Sequence, residues 1–191
     1  MKINKLLLGG LFICSTAFGA TKTSQFSVLP GVQFGATKED SISSFSFNIL
    51  GAENKNVSGF DLSLIGYRKV NGDFSGCHLN IFPDIFMVDG DVHGFTWSTW
   101  NNVKGNLYGV TLGGVNTIGQ DSGFNLGLVN YVQGQSGAQI GLFNYSESVK
   151  FFQLGLVNGT KNINGVQIGL INYAADGLVP VLPLVNFRYS F

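Results

Sequence analysis

The sequence predicts an all-β protein, and three observations predict it. Apolar residues alternate with small or polar ones over long stretches. A 14-residue repeat fills the C-terminal half. Clusters of Gly, Asn, Asp and Ser, all turn formers, return at that same step.

The repeat comes first because it sets the scale of every other element. Asn116, Asn130, Asn144, Asn158, Asn172 and Asn186 stand 14 residues apart without a slip, and Gly113, Gly127, Gly141, Gly155 and Gly169 keep the same step. The clearest units are Gly123–Asn130, Gly137–Asn144 and Gly165–Asn172, inside a repeat region over 109–191. Weaker copies begin at Gly31, Gly59 and Gly94. In one unit Phe124, Leu126 and Leu128 share a face, and Gly123, Asn125 and Gly127 share the other. Period two is the signature of a strand; a helix would scatter these residues around its axis. Val132–Ser136, Ser146–Ser148, Gly159–Asn162 and Ala174–Gly177 supply turn formers, so a unit reads as about ten residues of strand and about four of turn.

The N-terminus carries a different pattern. Lys2 and Lys5 precede an apolar run from Leu6 to Cys14, and Ala17-Phe18-Gly19 supplies small residues for cleavage. These are the three parts of a secretory signal peptide, predicting that residues 1–19 are removed and that 20–191 form a single repeat-containing β domain. The run is shorter than the ~20 residues a membrane-spanning helix needs. The processed chain keeps nine basic residues against eleven acidic ones, with no basic stripe, which argues against a nucleic-acid partner. Cys77 is then the sole cysteine, so no intrachain disulfide forms and the thiol reads as a small packed apolar group. Charged residues are 12% of the chain, about half the usual share, beside 27 glycines and 45% hydrophobic residues. That balance suits a molecule whose outside is not all water.

Units of the form Gly-Val-Gln-Ile-Gly-Leu-x-Asn, as at Gly165–Asn172, resemble the repeats of a family of bacterial surface-repeat proteins. The segments from Phe26 to Gly35, from Ser44 to Gly51 and from Gly59 onward are similar to the way those proteins begin. The resemblance implies a surface or envelope location. It implies no activity and carries no catalytic residues.

Two architectures accommodate the repeat. In an antiparallel transmembrane β-barrel of about 10–12 strands, one repeat is one strand and one turn. In a β-solenoid, one repeat is one coil, and the Asn series and Gln139, Gln153 and Gln167 stack into ladders. Each repeat has one strong apolar stripe and a thin second one (Val132, Val149, Ile163), which favours the barrel. So does the C-terminus, where Val185, Phe187, Tyr189 and Phe191 alternate with Asn186, Arg188 and Ser190, as in the last strand of outer-membrane barrels. Trp97, Trp100, Tyr131, Tyr145, Tyr173 and Tyr189 suit either an interfacial girdle or a core. Against the barrel stand Pro30, Pro180 and Pro183, and an apolar band of ~15 Å where ~25 Å is usual.

The barrel is the expectation, with the solenoid as its alternative. The barrel implies a cell-surface outer-membrane protein with a structural or interaction role, or a small pore. Its partners would be outer-membrane lipid and, through the C-terminal strand, the barrel-insertion machinery. The solenoid implies a secreted or surface-attached binding protein. No catalytic, cofactor-binding or metal-ligating residue is assigned, and no cofactor is expected. Asp89-Gly90-Asp91-Val92-His93 alternates carboxylates and an imidazole, but Asp89-Gly90 reads as a turn. His78 and His93 have no Gly-x-Ser-x-Gly elbow to serve, so an enzyme is not expected.

Overall fold

The computed structural model describes residues 19–177 and 179–188, so the expected signal segment, apart from Gly19, lies outside the described residues. β1 (Thr21–Leu29) folds back on β2 (Val32–Phe34) as an antiparallel pair. From there the chain winds in coils. β3 (Ser41–Asn48) and β4 (Gly51–Asn54) form one turn, followed by β5 (Val57–Ser63) with β6 (Gly66–Val70). Next come β7 (Phe74–Asn80) with β8 (Asp84–Val88), and β9 (Val92–Trp97) with β10 (Trp100–Val103). β11 (Leu107–Ile118), β12 (Ser122–Ile140), β13 (Phe143–Leu154), β14 (Val157–Ile163) and β15 (Gly165–Ala174) each run through at least one corner, with breaks at Gly141-Leu142 and Gly155-Leu156. β16 (Val181–Arg188) ends the described chain.

The strands pair in parallel from coil to coil, antiparallel only at β1–β2 and β15–β16. The fold is a β-solenoid of about nine turns, not the expected barrel. The first wall stacks β1, β3, β5, β7 and β9 with the leading parts of later coils; the second stacks β4, β6, β8 and β10 with the trailing parts.

The barrel expectation failed at one point in each repeat. The expected strand Gly123–Asn130 bends at Gly127-Leu128, sending Leu126 to one wall and Val129 to the other. Several expected turns, such as Val132–Ser136, lie inside β12 as the opposite corner. The apolar stripe points out of the coil, as it would have in the barrel. Phe124, Leu126 and Leu128 face outward, and the coils close on amides together with the thin second stripe, Val132, Val149 and Ile163, which is buried.

Asn116, Asn130, Asn144, Asn158 and Asn172 form a buried ladder, each amide donating to the next oxygen at 2.7–2.8 Å. The amides of Asn116, Asn130, Asn144 and Asn158 also donate to a main-chain carbonyl just before the next corner, as Asn144 Nδ2 does to Leu154 O at 2.9 Å. Gln153 donates to Gln139, and Gln167 to Gln153, at 2.6 and 2.7 Å. A polar interior is stable only when its groups are paired in this way. Glycine at the corner makes room: a Cβ on Gly141 would stand 2.3 Å from Gly127 O and 2.7 Å from Asn130 Nδ2.

The other edge has its own ladder. Asp73 Oδ1 accepts the N–H of Asp91, Asp91 Oδ1 that of Asn106, Asn106 Oδ1 that of Asp121, and Asp121 Oδ1 that of Gln135. Between the ladders lies an apolar core that includes Ile42, Val57, Phe74, Phe86, Val92, Leu107 and Ile118.

β16 closes the C-terminal end. Asn186 breaks the ladder it seemed to extend in sequence: it lies opposite Gln167, while Asn172 lies opposite Leu182. Pro183 is tolerated because β16 is the outermost strand of its end of the stack. The terminal residues Tyr189, Ser190 and Phe191, central to the barrel expectation, lie outside the described residues.

Candidate functional site

Two features stand out once the columns of stacked residues are followed along the coils. The first is on the outside. On the first wall, Phe47, Leu62, Leu79, Trp97, Leu112 and Leu126 lie side by side, and Leu154 and Ile168 continue the pattern. Phe45, Phe60, Cys77, Phe95, Val110 and Phe124 form a second apolar column next to it. The corner adds Leu50, Ile65, Phe82, Leu128, Leu142, Leu156 and Leu170. Leu128, Leu170 and Trp97 keep 59%, 62% and 54% of their surface exposed, which establishes that this stripe faces out.

The first column around the corner, on the second wall, is also uncharged: Tyr67, Ile85, Trp100, Val115, Val129 and, further on, Phe143, Val157 and Ile171. At ~4.8 Å per turn the apolar face is roughly 40 Å long, and the first wall and corner alone make it ~15 Å wide. Roughly 600 Å² is the upper limit for the largest apolar patch of an ordinary monomer. Midway along it, an open groove of about 730 Å³ is floored by Gly113, Gly127, Gly141 and Gly155 and walled by leucines.

Charge is segregated from this face. Lys55, Asp73, Asp89, Asp91, Lys104, Asp121, Glu147 and Lys161 gather at or near the opposite edge, where Lys104 pairs with Asp89 at 2.6 Å and Lys161 with Glu147. The solenoid is amphipathic about its long axis. In the late coils Tyr131, Tyr145 and Tyr173 occupy the column between the two zones, and the Tyr131 and Tyr145 rings stack at 5.3 Å; in the early coils Glu53 and Lys69 hold that column.

The second feature is inside. Asp61, Arg68, His78 and Asp84 form a chain of buried ionisable groups. Arg68 Nε donates to both Asp61 oxygens at 3.1 and 3.0 Å. His78 Nδ1 lies 2.7 Å from Asp61 Oδ2, and its Nε2 lies 3.4 Å from Asp84 Oδ2. The Ser98 hydroxyl donates to Asp84 Oδ1. Burial alone would raise the Asp61 carboxyl, but the Arg68 charge and the His78 bond more than reverse this and hold it well below the ordinary carboxylate range. Burial would likewise depress His78, but its bonds to Asp61 and Asp84 prevail and raise it above 6.5. With His78 protonated, two cations face two carboxylates and the cluster is neutral.

This constellation holds Ser, His and Asp but not in a nucleophile's order. Ser98 bonds to Asp84, both imidazole nitrogens face carboxylates, and the cluster is sealed in the core. It is an ionic lock between adjacent coils. Sequence reasoning missed it because nothing marks Asp61, Arg68 and Asp84 locally. The available signal was spacing: Asp61 and His78 are as far apart as Val57 and Phe74, one coil at that point in the chain.

The other residues weighed from sequence are separated by the fold. Asp89 binds Lys104 and Lys69, Asp91 caps Asn106, and His93 stacks outside on Tyr108 at 4.7 Å. Among the described residues, no three His, Cys, Asp or Glu side chains are grouped to hold a metal ion. Cys77 is half-buried between Phe60 and Phe95, and burial raises its thiol. No family model, curated protein or solved structure matches this chain.

Proposed function

We propose that this chain is an exported, non-catalytic β-solenoid, attached at the bacterial cell surface, which binds through its apolar edge. One observation carries the reading: an apolar face that runs from coil to coil, with the charged residues of the outer surface kept off it and gathered toward the opposite edge. Side chains that face water on a solenoid coil are free to be polar, so a stripe of Leu, Ile, Phe and Trp repeated over about nine turns is a surface built for contact. The signal-peptide pattern supplies the route and the resemblance to surface-repeat proteins supplies the address. The interior is filled by amides, glycine and packed side chains, which argues against conduction.

The test is fractionation of cells producing the full chain. The paired substitution Leu142→Glu and Leu156→Glu is expected to shift the protein from the envelope fraction to the soluble one. An unchanged distribution of the folded variant overturns the reading.

A further inference from the structure

We infer that the occupant of the apolar edge is one leaflet of a lipid bilayer, into which the solenoid dips side-on. The inference rests on the edge-binding reading above and names its partner. Three observations select lipid over a second copy of the chain or another protein.

The first is shape. The apolar surface covers the first wall, wraps the corner through Leu128, Leu142 and Leu156, and continues onto the second wall at Val129, Phe143 and Val157. It turns from one wall to the other around the corner, with the glycine-floored groove lying between its rows of leucines. A rigid partner docked on the first wall leaves the corner and the second wall wet. A fluid acyl phase covers both sides of a ridge.

The second is depth. From Leu170 at the corner back to Val166, the apolar stripe occupies three outward positions at ~6.7 Å intervals, an apolar depth of ~15 Å. A bilayer's hydrocarbon core is ~30 Å thick, so the stripe is too short to span it and matches one leaflet.

The third is the boundary. In the late coils Tyr131, Tyr145 and Tyr173 stand above the apolar column of the second wall, rings outward, with Glu147 and Lys161 beyond them; in the early coils the same column already carries charge, at Glu53 and Lys69. Apolar, then tyrosine, then charge is the order of acyl chain, headgroup and water, and tyrosine is enriched at that interface. The first wall has two apolar columns where the second has one, which tilts the molecule with the first wall toward the membrane. The leucine-walled groove floored by Gly127, Gly141 and Gly155 then runs along the inserted ridge, with the form to seat a single acyl chain.

The experiment is flotation of the purified full chain with protein-free phosphatidylethanolamine–phosphatidylglycerol vesicles, read together with quenching of Trp97 and Trp100 by lipids brominated along the acyl chain. Wild type should float, and both tryptophans should be quenched. Leu142→Glu with Leu156→Glu should reduce flotation by more than about tenfold, since each carboxylate would enter hydrocarbon. Gln120→Glu with Gln133→Glu, at the opposite edge, should float as wild type. Circular dichroism of each variant controls for folding, and every form carries the same N-terminus. Failure of wild type to float, or equal flotation of the Leu142/Leu156 variant, overturns the inference. If that variant is released from cells while the wild type ignores vesicles, edge binding stands and the partner is a protein. A concentration-dependent dimer that buries Trp97 without lipid overturns it in favour of a second copy.

Discussion

The coils before Leu107 and those after it use the same two inner columns for opposite chemistry. On the second wall the column runs Ala52, Arg68, Phe86, Asn101, then Asn116, Asn130, Asn144, Asn158 and Asn172. On the first wall it runs Ser46, Asp61, His78, Thr96 and Thr111 before amides, including Gln153 and Gln167, take over. The early coils vary in length: Ile42, Val57, Phe74 and Val92 are register partners 15, 17 and 18 residues apart. The late coils hold to 14, as from Asn116 to Asn130 to Asn144.

The difference has a physical reason. An amide both donates and accepts, so identical Asn residues stack indefinitely, provided every coil keeps the same length. An ion pair must alternate sign between coils. Once Asp61, Arg68, His78 and Asp84 have neutralised one another, the cluster has no further repeat to impose, and coil length is free to drift. The join is visible at Asn101, the first member of the ladder. Its Oδ1 has no donor because Phe86 occupies the coil before it.

The largest expected effect breaks the early coils. Asp61→Asn leaves Arg68 and His78 buried without their shared counter-charge and should destabilise by about 3–5 kcal/mol in denaturant titration. Nearest-neighbour coupling in a repeat stack predicts that hydrogen exchange accelerates over 41–103 well before 143–174. Equal loss in both regions would show the two halves to be one cooperative unit.

Gly141→Ala attacks the late coils at their corner. The added Cβ meets main-chain oxygen and the Asn130 and Asn144 amides, and overpacking of this kind costs about 1–3 kcal/mol. Here the exchange pattern should invert, with protection lost first around β12 and β13.

pH should separate the halves less strongly. His78 is held above 6.5, so its contribution is full below that value and is lost as pH rises through its raised folded-state value. Asp61 is held below 3.8, so its contribution is full above that value and is lost as pH falls through its lowered one. The early coils should therefore be most stable between about pH 3.8 and 6.5 and weaken on the alkaline side. The loss should be smaller than that of Asp61→Asn, because Asp61 still faces Arg68. Denaturation midpoints across pH check this, and a His78→Gln variant should flatten the alkaline slope.

The smallest effect is expected outside. Leu142→Ser removes an outward side chain and should change stability by less than about 0.5 kcal/mol, although its repeat position is among the most regular in the chain. A loss of several kcal/mol would mean that the apolar stripe is core after all.

Much of this molecule was legible in the chain, although its topology was misjudged. Alternation around Leu126 and Ile140 marked strands, and the strands are there. The grouping of Gly127 and Asn125 against Leu126 and Leu128 marked two faces, and the faces are there. What misled was the premise that a solenoid coil must close on strong apolar stripes from two walls, when here one wall's inner column is largely amide. The ionic lock was not visible at all, because Asp61, Arg68, His78, Asp84 and Ser98 come from five different strands or corners and share no repeat.

The sequence alone determined that this is a β protein with a 14-residue unit, one apolar and one amide-and-glycine face per unit, and too little charge to coat an ordinary surface. Those properties are local: they follow from the two-residue period of a strand and from composition. Only the tertiary structure decided that neighbouring strands run parallel, because that depends on a bend at Gly127-Leu128 which the same residues permit as readily as a straight strand. Once the bend is made, Asn stacks on Asn at the distance a hydrogen bond between amides needs, the polar face closes inward, and the apolar face is left outside.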